Sequence, residues 1–347
     1  MTTPAADPRS AAAPLLSVDG LRLEFHTRRG VLTAIDGIDF DVAPGEVLGL
    51  VGESGAGKSL TGAALIGLLD PACRLVGGTI RLAGERIDHL PPDALRHVRG
   101  RRIGMIFQDP LTSLNPLITI GDQLVETIRI HMAVDAPTAL ERAVRLLEDV
   151  GIPAARERIH NYPHQFSGGM RQRVVIALAL ACDPELIIAD EPTTALDVSV
   201  QAQIITLLKN LCRDKGTAVI LITHDMGVIA EIADRVAVLY AGRLVEIGAV
   251  QKIISAPLHP YTRGLMGAIP TLDGERDRLV QIPGAMPQLS AIPAGCAFHP
   301  RCSQASARCV AERPVLHEAD GVRAACFVTA PAPLDAPPAR PPTEVRP

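Results

Sequence analysis

Hydrophobic and polar positions along the chain alternate in two different rhythms. Near the start, Leu21, Leu23 and Phe25 alternate with Arg22 and Glu24, and Ile38, Phe40 and Val42 alternate with Asp39 and Asp41. A period of two predicts half-exposed strands. Val47, Leu48, Gly49, Leu50 and Val51 form an unbroken apolar run, the mark of a strand buried on both faces. A glycine-rich turn follows it, and then an apolar helix beginning near Lys58. Residues 79–82 and 103–107 read as further strands. Residues 118–163 shift to a helical period, with Leu124, Ile128 and Met132 on one face of a first helix and Leu140, Val144, Leu147 and Val150 on one face of a second. Strand patterns return at 186–189, 218–223 and 236–239, each after a helix, which predicts a parallel α/β sheet with a helical insertion. Beyond about residue 257 the chain is rich in Pro and Gly and reads as loops.

Composition adds limits. The 347 residues carry 34 Lys and Arg against 38 Asp and Glu, a formal charge of -4, which speaks against a broad nucleic-acid-binding face. Arg96, Arg99, Arg101 and Arg102 form a local basic run that reads as a solvated turn before a strand. Aromatics make up only 3% and Trp is absent, so the core must be aliphatic. No apolar stretch approaches the ~18 residues of a spanning helix, and the first residues lack the apolar region of a secretory signal. Residues 1–14 and 330–347 are Ala- and Pro-rich and are expected to be disordered.

Three motifs carry chemistry. Gly52, Glu53, Ser54, Gly55, Ala56, Gly57, Lys58 and Ser59 fit a phosphate-binding loop between strand and helix. There Lys58 would reach the β- and γ-phosphates and Ser59 would ligate Mg²⁺, while Thr61 falls in the helix that follows. Leu186, Ile187, Ile188 and Ala189 end in Asp190 and Glu191, placing two carboxylates at the C-terminal edge of a parallel sheet. Asp190 suits Mg²⁺ and Glu191 suits a general base for water. Ser167, Gly168 and Gly169 open an apolar helix and offer a second helix start able to bind phosphate, or simply an ordinary capped helix.

The order of these motifs resembles the ATP-binding subunit of ABC transporters. Gln108 matches the Q-loop, Ser167–Gln172 the signature, Ala195, Leu196 and Asp197 the D-loop, and His224 the switch histidine. The resemblance implies a P-loop NTPase (RecA-like) core with an N-terminal antiparallel β subdomain, an inserted α-helical subdomain and a loop-rich C-terminal extension. The cassette would cover 15–256, with the helical subdomain at about 110–182, and the extension 257–329. It implies ATP hydrolysis in a closed dimer, with Glu191, His224 and Gln108 as catalytic residues. Mg²⁺ would lie on Ser59, Gln108 and Asp190, and nucleotide on the P-loop, Thr61, the signature and Asp197. Implied partners are two membrane permeases, a second homologous ATPase in a heterodimer and an extracytoplasmic solute-binding protein, with no nucleic acid. The location would be peripheral, at the cytoplasmic face of the inner membrane.

Asn161–Gln165 before the signature, the run Leu258, His259, Pro260, Tyr261, Thr262, Arg263, and the string Cys296, Ala297, Phe298, His299, Pro300, Arg301, Cys302 are similar to oligopeptide/dipeptide-type importers. The alternatives are an importer of another solute such as nickel, a soluble ABC ATPase of translation or DNA repair, and a redox-sensing regulator. Two departures stand out. Phe25 is the only ring near the region where the family stacks adenine, so the base would rest weakly or on Arg29. Met170 replaces the commoner polar signature residue. Of seven Cys, Cys73, Cys182 and Cys212 read as core residues. Cys296, Cys302, Cys309 and Cys326, spaced C-x5-C-x6-C-x16-C, lack the paired knuckles of structural zinc sites. A 4Fe–4S cluster is expected there, with zinc or unligated thiols as alternatives.

Overall fold

The computed structural model describes residues 13–28, 30–193, 197–268 and 281–329. The tails expected to be disordered, together with Arg29, Ala195 and Leu196, lie outside the described residues, apart from Ala13 and Pro14.

The strands are β1 (Leu16–Thr27), β2 (Gly30–Val42), β3 (Val47–Val51), β4 (Cys73–Leu82), β5 (Glu85–Arg86), β6 (Ile103–Ile106), β7 (Leu186–Asp190), β8 (Ala218–Thr223), β9 (Arg235–Tyr240), β10 (Arg243–Ala249), β11 (His317–Ala319) and β12 (Val322–Ala324). The helices are α1 (Lys58–Leu65), α2 (Pro92–Val98), α3 (Pro110–Ser113), α4 (Ile120–His131), α5 (Ala136–Asp149), α6 (Ala155–Arg158), α7 (Gly168–Leu180), α8 (Val198–Lys215), α9 (Met226–Ile232), α10 (Val250–Ser255), α11 (Pro260–Gly267) and α12 (Ala307–Ala311).

Two sheets result. The first is antiparallel, in the order β2-β1-β4-β5. The second runs β11-β12-β10-β9-β3-β8-β7-β6, parallel from β6 to β9. Its parallel strands are buried on both faces, so alternate residues feed two cores. Leu186, Ile188, Ile220 and Ile222 join Leu16, Ile38 and Phe40 between the sheets. Ile187, Ala189, Val219 and Leu221 face the helices. Both cores are overwhelmingly aliphatic, as the scarcity of aromatics requires.

The helical insertion packs α4 and α5 on α7. Ile120, Leu124 and Ile128 meet Ala139, Ala143, Val144 and Leu147 there. Leu140 departs from its expected place: it is exposed, because Ala139 and Ala143 let α5 approach closely and rotate Leu140 to the rim. The basic run ends in a turn before β6 with Arg96 and Arg101 exposed, as expected, but three of its arginines are also tied to the fold. Arg99 donates to the Ile66 and Gly67 carbonyls, Arg101 to the Cys182 carbonyl, and Arg102 pairs with Glu185 and Glu85.

The extension is more structured than its composition suggests. Its β12 adds antiparallel to β10, and β11 adds to β12. Its entry is fixed by the fully buried Glu246, whose carboxylate accepts from the Leu258 and His259 N–H groups at 2.7 and 3.0 Å. Carboxylates need such donors when buried.

Candidate active site

The phosphate-binding loop joins β3 to α1 at the C-terminal edge of the parallel sheet, where ligands of such sheets bind. Gly52 has φ 152°, and a Cβ there would meet the Leu239 carbonyl oxygen at 2.4 Å, so only glycine fits. Gly57 caps α1 with φ 103°. Lys58 is buried, and its ammonium donates to the Gly52 and Glu53 carbonyls at 2.8 and 3.2 Å. Burial lowers its pKa, against the pull of Glu191, Asp190 and Glu53.

Ser59 Oγ donates to Asp190 Oδ1 at 3.0 Å, across 131 residues of sequence. Burial raises the Asp190 carboxyl; the Ser59 hydrogen bond lowers it, the neighbouring Glu191 raises it further, and Lys58 lowers it. A hydroxyl on a carboxylate beside a phosphate loop is the oxygen-rich donor set that Mg²⁺ takes.

Glu191 follows at the end of β7 with φ 46°, an uncommon conformation for a side-chain-bearing residue, held by its N–H bond to the Ile222 carbonyl. The turn aims its carboxylate at two other predicted residues. Gln108 Nε2 donates to Glu191 Oε2 at 2.9 Å, and His224 Nδ1 lies 3.2 Å from Glu191 Oε1. Gln108 enters just after β6 and His224 just after β8, the strands on either side of β7. A cavity of about 620 Å³, within the range of small-ligand sites, is lined by Lys58, Ser59, Gln108, Glu191 and Phe25 among others.

Other predicted residues stand apart from this cavity. Thr61 is fully buried, and both its N–H and its hydroxyl bond the Gly57 carbonyl, so its polar groups are spent inside α1. The Glu53 N–H donates to the Tyr261 hydroxyl at 2.8 Å, and its side chain pairs with Arg301, so this loop residue faces the extension. Gly52 and Ala56 shape the loop from beneath, where Ala56 is buried. Ser167 caps α7 by accepting from the Met170 N–H at 3.3 Å. With Gly168 and Gly169 it lies outside the cavity of its own P-loop. Asp197 is the exposed N-cap residue of α8.

Tyr261 and Arg301 lie in the segments similar to oligopeptide/dipeptide-type importers, and nothing local to either signals a role at the phosphate loop. The charged residue inside the loop, Glu53, was the one local signal that a partner was needed. Met286, also at the cavity, had none.

Cys73, Cys182 and Cys212 are buried, and burial pushes the Cys212 thiol up to about 12. Cys296, Cys302, Cys309 and Cys326 come together around one small cavity with Phe298 and Phe327. Among the described residues no group of three or more His, Cys, Asp and Glu side chains is arranged to hold a metal ion.

A parallel-sheet P-loop ATPase with a helical insertion and an antiparallel flap is thereby defined, and the chain belongs to the ABC transporter family, which it matches over residues 35–194. Residues 245–309 match the oligopeptide/dipeptide transporter C-terminal region. The chain is 48% identical to the oligopeptide transport ATP-binding protein OppD of Escherichia coli, over 94% of this chain and 96% of OppD. It is 52% identical to OppD of Haemophilus influenzae, over 85% and 91%. Among solved structures, the dimeric ATP-binding cassette MJ0796 in a post-hydrolysis state with ADP and Pi is 26% identical, with TM-score 0.61 over 68% of this chain and 98% of that one. The cassette cbiO1 of Clostridium perfringens gives the same identity and score over 71% and 92%. The chain is an ATPase of this class. No helix among the described residues is long and apolar enough to cross a membrane.

Proposed function

We propose that this chain is the ATP-hydrolysing, energy-coupling subunit of an importer for di- and oligopeptides. The observation that carries the reading is the cluster of Gln108, Glu191 and His224 beside the P-loop, together with the peptide-transporter C-terminal region. The relatives named for oligopeptide transport support the cargo.

Phosphoryl transfer asks mainly for positioning and charge stabilisation. Lys58 and the loop N–H groups hold the phosphates, while Ser59, Asp190 and Gln108 would hold Mg²⁺, which supplies charge neutralisation when bound. Glu191 orients and deprotonates the attacking water, and His224 fixes the Glu191 carboxylate and the γ-phosphate. Gln108 bonds Glu191 and precedes α3, which packs on α7, so it links the site to the helical insertion. Because Ser167, Gly168 and Gly169 lie outside their own P-loop cavity, they serve the nucleotide of a second, homologous ATPase, with Asp197 in the same interface. Two membrane permeases and an extracytoplasmic solute-binding protein complete the system, with this chain peripheral at the cytoplasmic face of the inner membrane.

The four thiols sharing one cavity support a 4Fe–4S cluster on Cys296, Cys302, Cys309 and Cys326 as a staple for the extension. Their donor set is all sulfur, as such clusters require. The thiols are not arranged around a metal position in this structure, so a cluster or a zinc ion alike would have to draw them together on binding. Iron and sulfide analysis of anaerobically purified protein, wild type against Cys302→Ser, tests this.

The functional test is labelled-peptide uptake and ATP hydrolysis by the assembled transporter, wild type against Glu191→Gln. Turnover that appears only in the complex and collapses in the variant is expected. Hydrolysis by the isolated chain, indifferent to membrane partners, overturns the importer reading, and uptake of nickel but not peptide overturns the cargo.

A further inference from the structure

The extension reaches the nucleotide cavity through one arginine. Arg301, whose side chain is only 6% exposed, donates from its two terminal nitrogens to both Glu53 carboxylate oxygens, at 2.6 and 2.9 Å. Its Nε donates to the Pro283 carbonyl at 2.8 Å, and Nη2 lies 3.5 Å from the Ile282 and Gly284 carbonyls. The same guanidinium rests over the rings of Tyr240 and Phe298. A planar fork with five donors suits this double grip, in which its edges hold the phosphate loop and the segment of chain entering residue 285 while its face rests on the rings.

That pinned segment continues directly into the cavity. Met286, Pro287, Leu289 and Ile292 line it together with Phe25 and the P-loop. Met286 packs against the loop itself, so that a Cβ on Gly55 would lie 3.9 Å from its Cγ. The lining therefore divides chemically. Lys58, Ser59, Gln108 and Glu191 suit a triphosphate and its hydrated cation. Phe25, Met286, Leu289 and Ile292 suit only an apolar, flat group. A thioether is polarizable and adapts to an aromatic face.

The geometry points to the extension as a wall of the ATP site: Met286 contacts the nucleobase together with Phe25, and Arg301 is the positioning residue that fixes the segment against Glu53. This rests on the ATP reading of the P-loop cavity. The wall answers how adenine is held where the antiparallel sheet brings Phe25 alone of its rings to the cavity.

Calorimetry on the full chain, with Mg-ATP and with Mg-tripolyphosphate as separate ligands, tests it. Met286→Ala should weaken ATP about five-fold and leave tripolyphosphate unchanged, because only the former carries a base. Met286→Leu, which keeps the bulk, should stay near wild type. In an Arg301→Gln background, where the segment has lost its pin, Met286→Ala should cost less than two-fold further. Unchanged ATP binding in Met286→Ala, or equal weakening of ATP and tripolyphosphate, overturns the wall. Lys58→Ala separates the two layers: it should abolish binding of both ligands, and retention of both in this variant overturns the ATP reading itself.

Discussion

The two sides of the P-loop are built in opposite ways. On the sheet side, Asp190, Glu191 and His224 sit at consecutive strand ends, each close in sequence to the strand that aims it. On the extension side, Glu53 meets Arg301 across 248 residues and Tyr261 across 208. The first region needs only short motifs and a parallel sheet. The second needs the whole chain to close on itself. The first brings the candidate chemical groups to the cavity, and the second ties the loop residue Glu53 to the extension.

The largest effect should come from the sheet side. Glu191→Gln should lower turnover at least about a hundred-fold while ATP binding persists, since general-base contributions have that size. Steady-state hydrolysis and calorimetry in parallel check it. If binding fell along with turnover, Glu191 would be shaping the site instead.

Next comes the pair that joins the regions. Arg301→Gln strands a half-buried Glu53 carboxylate and should cost about 2 kcal/mol in denaturant unfolding. Adding Glu53→Gln should recover part of that loss, as coupled residues do not add. Full additivity would mean that the two residues act independently and the extension is not tied to the loop by charge.

A smaller effect is set by pH. His259, wholly buried at the start of α11, has its pKa pushed down to about 3 by burial, against an ordinary 6.5. Its Nδ1 accepts from the Tyr261 N–H, which also requires the neutral ring. Above pH 6.5 the ring is neutral in both folded and unfolded chains, so its full contribution is present. Below 6.5 the unfolded chain takes up a proton that the folded one refuses, so stability falls toward pH 3 by about 1 kcal/mol per unit. His259→Gln should flatten that slope, measured by unfolding between pH 7 and pH 5.

The smallest effect should be Thr61→Val. Its hydroxyl already bonds the Gly57 carbonyl within α1, so ATP affinity should move less than two-fold. A larger loss would bring Thr61 back into the binding site.

Legibility followed the same division. The positions of the P-loop, the acidic strand end and His224 were readable because each sits in a run of adjacent residues at the end of a buried strand, where local backbone geometry sets its place. The aliphatic strands were readable because burial on both faces removes polar positions from the run. Leu140 was misplaced because a helical period cannot tell the centre of a face from its rim when neighbouring alanines set the approach. The tethering of the arginines after α2 was not legible because sequence shows charge but not the carbonyls of residues 66 and 182 that accept from it. The extension read as loops because β11 and β12 are three residues each, too short for any period to register.

By itself, then, the sequence determined the class of machine, an ABC ATPase: a phosphate loop between strand and helix and a pair of carboxylates at a strand end, each written in contiguous residues under local steric rules. It also determined an aliphatic core and, in its unbroken apolar runs, strands buried on both faces. Only the tertiary structure decided that Glu53 faces the extension, that Thr61 is spent inside its helix, and that four scattered thiols share one cavity. It alone placed Met286 and Phe25 at the same nucleotide cavity. The Glu53–Arg301 pair and the meeting of Phe25 with Met286 join residues more than two hundred positions apart, and such contacts are chosen by packing of the closed chain, which no local pattern encodes.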